Sequence, residues 1–116
     1  MIHKLFCYGT LQESSVQLDL INRVVDGPLT SIEGFVVVRD YIDPEDGNAY
    51  PRIIPFENGC VYGKVLEFSS REMMILDEYE TEMYCLDLVK TRNGEEVFVY
   101  MPTYKEGTFK IKGGNK

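Results

Sequence analysis

The stretch LFCYGTL, residues 5–11, is an apolar run that meets Gly9 and Thr10 close to the start of the chain. This pattern predicts a first strand, residues 2–8, that is broken by a turn. Gly9 lets the main chain approach a ligand closely, and the end of a strand leaves backbone N–H groups without ladder partners. Such a turn can hold a carboxylate or an oxyanion. The turn by itself, however, favours a plain strand-to-helix connection in which Thr10 makes a local hydrogen bond.

Downstream of the turn, apolar residues recur at helical spacing between Glu13 and Val25. The spacing predicts a helix that begins near Ser14 or Ser15 and is ended by the Gly-Pro pair at Gly27.

Three β-branched or aromatic stretches predict further strands, at residues 34–42, 50–56 and 59–68. The two prolines of the second stretch exclude a central position in a sheet, and Gly63 in the third indicates a bulge or a close backbone approach. The composition of residues 43–48 predicts a loop between the first two stretches.

The second half of the chain contains two specific local signals. Ser69 and Glu72 form a capping-box pattern, which predicts the start of a second helix. Asn93-Gly94 lies between two apolar runs and predicts a β-hairpin. Strands predominate, with two helices, so we predict an α+β domain whose mixed, mostly antiparallel sheet curls into a small β-barrel with flanking helices.

Length and charge limit the possible functions. The 116 residues fit a single domain, 1–116, with residues 103–116 as a candidate flexible tail. A net charge of −7 would repel a phosphate backbone, so no nucleic-acid partner is expected. No apolar stretch is long enough to span a bilayer, and no membrane partner is expected.

The three cysteines, Cys7, Cys60 and Cys85, are widely spaced and form no CxxC pair. We therefore expect reduced, mostly buried thiols in a cytoplasmic protein. A nucleophilic Cys7 would need His3, the only histidine in the chain, and the pattern favours a core thiol instead.

Glu80 is the candidate with the clearest chemistry. A helical wheel that starts at Met73 places Glu80 inside the apolar arc, whereas Glu78 faces away. Burial and the nearby carboxylates of Asp77 and Glu82 would raise its pKa, which suits a general acid/base. In the equally supported alternative, the helix ends one residue earlier and Glu80 points into water.

Five segments in this order resemble a known family: LFCYGTL, YPRIIP, GCVYGKVLEF, LDEYETEMY and VFVYM. The chain is similar, from Leu5 to about Met101, to the gamma-glutamyl cyclotransferase-like superfamily, which includes gamma-glutamylamine cyclotransferase. The resemblance implies a small mixed β-barrel with no metal and no organic cofactor. It also implies Glu80 as the acid/base and a substrate site lined by the backbone of four consecutive residues, Tyr8, Gly9, Thr10 and Leu11.

The implied activity releases 5-oxoproline and a free amine from a small γ-glutamyl-amine or γ-glutamyl-amino acid. The chain departs from the family where Thr81 replaces a frequent Gly, and where Cys85, Leu86 and Asp87 replace a frequent Arg. Two alternatives remain on the same fold. One is a binding module without turnover, and the other is an interaction protein whose acidic loops dock a basic partner.

Overall fold

The computed structural model describes residues 1–42, 49–80 and 84–102. Two helices and five strands make up this part of the chain. In chain order they are β1 (Ile2–Cys7), α1 (Ser14–Ile21), β2 (Leu29–Ile42), β3 (Ala49–Ser69), α2 (Ser70–Glu80), β4 (Tyr84–Lys90) and β5 (Glu96–Pro102).

The five strands form one mixed sheet in the order β2-β3-β1-β5-β4. Among the described strands, only β1 and β5 run parallel, with Leu5 opposite Phe98 and Phe6 opposite Val99. The other three pairings are antiparallel. The sheet curves into a half-barrel accompanied by two helices, so the prediction of an α+β fold with a mixed, mostly antiparallel sheet is confirmed.

Strand β1 is central, and its last residues are buried on both faces of the sheet. Leu5 and Cys7 point into the cluster beneath the helices, with Phe68, Met73 and Leu76. Phe6 and Tyr8 point into a second cluster lined by β2, β3 and β5. The side chains alternate because successive residues of a strand face opposite ways.

Several local predictions are confirmed. The backbone N–H of Ser69 donates to Glu72 Oε1 (2.9 Å), and the backbone N–H of Glu72 donates to Ser69 Oγ (3.2 Å), which completes the capping box at α2. The β4–β5 hairpin turns at Asn93-Gly94, where Gly94 has φ +89°. A methyl group on Gly63 would lie 2.3 Å from the carbonyl oxygen of Cys7, so the backbones do approach closely there.

The two prolines also lie where the sequence predicts. Residues 49–60 of β3 pair with β2 alone, because β1 pairs with β3 only from Lys64 onward. This part of β3 therefore occupies an edge among the described strands, and Pro51 and Pro55 interrupt no central ladder.

Four predictions need correction. Helix α1 ends at Ile21, because Asn22 takes a left-handed conformation (φ 59°) and its N–H closes the last turn on Leu18 O. Strand β2 begins at Leu29, earlier than expected. The two segments expected at residues 50–56 and 59–68 form one strand, β3, with a register shift opposite Gly34.

The fourth correction concerns the cysteines. Cys7 is buried, but Cys60 and Cys85 are exposed, so the expectation of mostly buried thiols is wrong. The predicted loop at residues 43–48 and the candidate tail at residues 103–116 lie outside the described residues. No described helix is both long enough and apolar enough to span a bilayer.

Candidate active site

The turn after β1 is a single 3-10 turn, Thr10–Gln12, preceded by Gly9. The Gly9 carbonyl accepts hydrogen bonds from the backbone N–H (3.1 Å) and the side chain (3.2 Å) of Gln12. The Thr10 carbonyl accepts from the backbone N–H of Glu13 (2.9 Å). The amides of Thr10 and Leu11 begin this helical turn, so neither has a partner within it, and neither donates to another residue in the described ranges.

The last turn of α2 lies against this turn of the chain. Thr10 Oγ1 and the Tyr79 hydroxyl are 2.8 Å apart, although 69 positions separate the two residues. The Tyr8 hydroxyl donates to the backbone carbonyl of Tyr100 (2.8 Å), which ties the same turn to β5. The structure therefore brings together the turn and the helix end that the sequence singled out separately.

Glu80 is the last residue of α2 and is partly buried. Burial raises its pKa from 4.5 to about 7, because removal from water penalises the charged form. Burial accounts for the raised pKa, so the prediction that Asp77 also raises it is wrong. Glu82 lies outside the described residues. The alternative in which the helix ends at Tyr79 is also wrong.

The charge of Glu80 affects the pKa of two described neighbours, Cys7 and Tyr100. Burial raises the pKa of Cys7, and the Glu80 carboxylate adds to the effect. The pKa of Tyr100 is raised first by burial, then by Asp77 and Glu80. The Tyr100 hydroxyl donates to Asp77 Oδ1 (3.2 Å), which holds β5 to the last turns of α2. Strands β1 and β5 thus both contribute to the surroundings of Glu80.

Cys7 is not arranged as a nucleophile. Its thiol points to the carbonyl of Leu5 (Sγ to O, 3.7 Å), and its raised pKa keeps it protonated at neutral pH. His3 lies four residues back on the strand, with Nε2 2.9 Å from Ser70 Oγ. The prediction of a core thiol is therefore confirmed for Cys7.

Sequence reasoning missed one residue next to the turn, the buried Gln17 of α1. A signal was available, since Gln17 lies three and four residues before Leu20 and Ile21, which both pack against the core. Among the described residues, no group of three or more His, Cys, Asp or Glu is arranged to hold a metal ion.

Comparison with known proteins identifies the family. A family model described as gamma-glutamyl cyclotransferase, AIG2-like matches residues 5–115. The chain belongs to this family. One curated relative, AIG2-like protein C of Arabidopsis thaliana, is 40% identical over 83 residues, which are 71% of this chain and 45% of that protein. The chain thus spans about half the length of the first curated relatives that it matches.

Several solved structures have a similar fold. An Arabidopsis thaliana protein solved in solution superposes with a TM-score of 0.70 at 27% identity, covering 97% of this chain and 80% of that one. A structure described as gamma-glutamyl cyclotransferase superposes with a TM-score of 0.68 at 19% identity, covering 91% of this chain and 69% of that one. At 19% identity, the second likeness shows a shared fold.

Proposed function

We propose that this chain is a gamma-glutamyl cyclotransferase that converts a small γ-glutamyl-amine or γ-glutamyl-amino acid into 5-oxoproline and a free amine. The observation that supports it most directly is the position of Glu80. A partly buried carboxyl group with a pKa of about 7 lies at the helix end that contacts the Thr10 turn. A group with a pKa near the working pH can both accept and return a proton.

In the proposed reaction, the α-amine of the substrate attacks the carbonyl carbon of its own γ-amide. A C–N bond closes the five-membered ring, and the bond from that carbon to the departing nitrogen breaks. Glu80, as the carboxylate, takes the proton from the attacking nitrogen and then gives it to the departing nitrogen. Because nucleophile and electrophile belong to one molecule, the protein needs only to hold the reactive conformation.

The turn after β1 supplies the second element of the proposal. The Thr10 and Leu11 amides have no described partner, so they are available as donors. We assign to the turn, Tyr8, Gly9, Thr10 and Leu11, the binding of the substrate carboxylate or of the oxyanion that develops at the γ-carbonyl. Fixed donors of this kind stabilise developing charge more than water does, because they need no reorganisation during the reaction.

Incubation with a panel of γ-glutamyl amino acids and γ-glutamyl amines, followed by an assay for 5-oxoproline, tests the proposal. We expect turnover of at least one member of the panel. Thermal-shift binding without product would instead support the binding module. Strongly salt-dependent association with a basic protein would support the interaction protein. The acidic loops of that alternative contain Asp43, Glu45, Asp46, Glu95 and Glu96. Glu95 is already paired with Lys4, which weakens this second alternative.

The pH profile provides a further prediction. Glu80 must be ionised to accept the first proton, so kcat/KM should fall as the pH drops below about 7. Measured from about pH 5 to pH 9, kcat/KM should follow a single ionisation on the acidic side. A midpoint near 4.5, the ordinary value for this group, would contradict the assignment of Glu80 as the base.

A further inference from the structure

Gln17 is a polar side chain in the core, only 2% exposed, at the packed face of α1. Its Nε2 donates to the carbonyl of Leu11 (2.8 Å), and its Oε1 accepts from the backbone N–H of Val25 (2.8 Å). One end of the amide must donate and the other must accept, so a single orientation satisfies both contacts. Gln17 thus ties the turn after β1 to the segment that follows α1.

The contact to Leu11 completes a pattern in the turn. The carbonyls of Gly9, Thr10 and Leu11 all accept hydrogen bonds from within the protein. The hydrogen bonds to the Gly9 and Thr10 carbonyls come from Gln12 and Glu13, the next residues along the chain, whereas the bond to the Leu11 carbonyl comes from α1. The N–H and C=O of a trans peptide point in opposite directions. The Gly9 and Thr10 carbonyls share their peptide planes with the N–H groups of Thr10 and Leu11, so their hydrogen bonds turn these two amides to the other side. The Leu11 carbonyl shares its plane with the N–H of Gln12, and that N–H donates to the Gly9 carbonyl. The contact from Gln17 therefore acts on the Thr10 amide through Gln12.

We propose that Gln17 is a positioning residue for the cyclotransferase reaction. It holds the Leu11 carbonyl and, through the Gln12 N–H and the Gly9 carbonyl, fixes the direction of the Thr10 amide toward the substrate. This inference rests on the proposed function for its chemistry, but its geometry can be tested separately. An apolar side chain of the same length would fill the same space, so the amide is needed only for its two backbone contacts.

Gln17→Met is the first test, since it preserves length and removes both hydrogen bonds. We expect kcat/KM for 5-oxoproline formation, corrected for the folded fraction, to fall about 10–100-fold, because a misplacement of about 1 Å has effects of this size. The midpoint of the pH profile should stay near 7, because the surroundings of Glu80 are unchanged. An unchanged kcat/KM per folded molecule would overturn the proposal.

Arg23→Ala is the matched control. Arg23 lies just beyond the end of α1 and bonds Glu72 and the carbonyl of Glu67, away from the turn. Its loss should lower Tm and leave kcat/KM per folded molecule unchanged. A fall in kcat/KM equal to that of Gln17→Met would indicate general destabilisation and would overturn the positioning role.

Amide chemical shifts test the geometry without turnover. Addition of 5-oxoproline to the wild-type protein should shift the N–H signals of Thr10 and Leu11, and Gln17→Met should weaken this binding at least tenfold. If the wild type forms no 5-oxoproline from any substrate, the proposed function fails, and this comparison alone then decides the role of Gln17. Equal shifts in both proteins, or no shift in the wild type, would overturn the positioning role of Gln17.

Gln17→Glu provides a second variant should Gln17→Met fail to fold. The new carboxyl group keeps an acceptor for the Val25 N–H, but it can donate to the Leu11 carbonyl only when protonated. Relative to the wild type at the same pH, the 5-oxoproline-dependent shifts of Thr10 and Leu11 should therefore decline as the pH rises. If the ratio of these shifts in Gln17→Glu to those in the wild type stays constant across the pH range, no donor is needed at this position.

Discussion

Glu80→Gln should lower kcat for 5-oxoproline formation by about 10²–10⁴-fold or more, the usual contribution of general acid–base catalysis. Gln is nearly isosteric with Glu and keeps hydrogen-bonding atoms, so the fold and substrate binding should change little. It cannot accept and return a proton near neutral pH, so the transfer between the two nitrogens is lost. Steady-state assays with any substrate found active in the panel, together with a binding measurement, would separate kcat from affinity.

Glu78→Gln is the control for this experiment. Glu78 is an exposed residue two positions earlier on α2, so its substitution should leave turnover within experimental error. If both variants keep wild-type turnover, Glu80 is not the acid/base, and the role carried over from the family is wrong for this residue.

Glu80→Gln should also change the free energy of unfolding in a pH-dependent way. In the folded protein the pKa of Glu80 is raised from 4.5 to about 7, so folding favours the protonated form. The stability that the protonated group provides is complete below pH 4.5 and is lost as the pH rises through 7. Relative to wild type, Glu80→Gln should therefore gain up to about 3 kcal/mol near pH 8 and nothing below pH 4.5. Urea unfolding at several pH values would measure this difference.

Phe68→Ala should reduce the free energy of unfolding by about 3–5 kcal/mol, a large share of the ~5–15 kcal/mol typical of a domain. Phe68 is fully buried (0% exposed) at the end of β3, directly before the capping box of α2. It packs in the cluster of Leu5 and Leu76, so truncation removes apolar burial and leaves a cavity between sheet and helices. The loss should appear in the urea midpoint without a change in the m-value.

Phe56→Ala is the matched control on the same strand. Phe56 is 58% exposed, so its truncation should change stability by no more than about 0.5 kcal/mol. Equal losses at Phe56 and Phe68 would mean that the two side chains are not exposed and buried as described.

Signals contained within a few neighbouring residues were read correctly from the sequence. The capping box of Ser69 and Glu72 joins groups three residues apart, and the Asn93-Gly94 hairpin depends on backbone conformations that Gly adopts without strain. The wheel position of Glu80 follows from the period of an α-helix, so the sequence could place this residue on the apolar arc, although it left open whether the carboxyl group is buried. In each case the physics is local, and the local sequence determines the result.

Local reasoning failed where the structure of a segment depends on strand pairing with a distant part of the chain. The segments 50–56 and 59–68 were expected to be separate strands, yet pairing with β2 on both sides of the bulge joins them into β3. Strand β2 is distant in the sequence from this gap, so the pairing that joins the two segments is not contained in a local signal. Cys60 and Cys85 are exposed for a similar reason, since pairing register decides which face a side chain takes.

The sequence by itself determined the fold class, the family resemblance and the two segments proposed to act, the Thr10 turn and the end of α2. Only the tertiary structure decided how they meet. The Thr10–Tyr79, Tyr8–Tyr100 and Tyr100–Asp77 hydrogen bonds join positions 69, 92 and 23 residues apart. Such contacts depend on the tertiary structure, which places β1, β5 and α2 side by side. The raised pKa of Glu80 has the same origin, since burial depends on every segment that covers the carboxyl group.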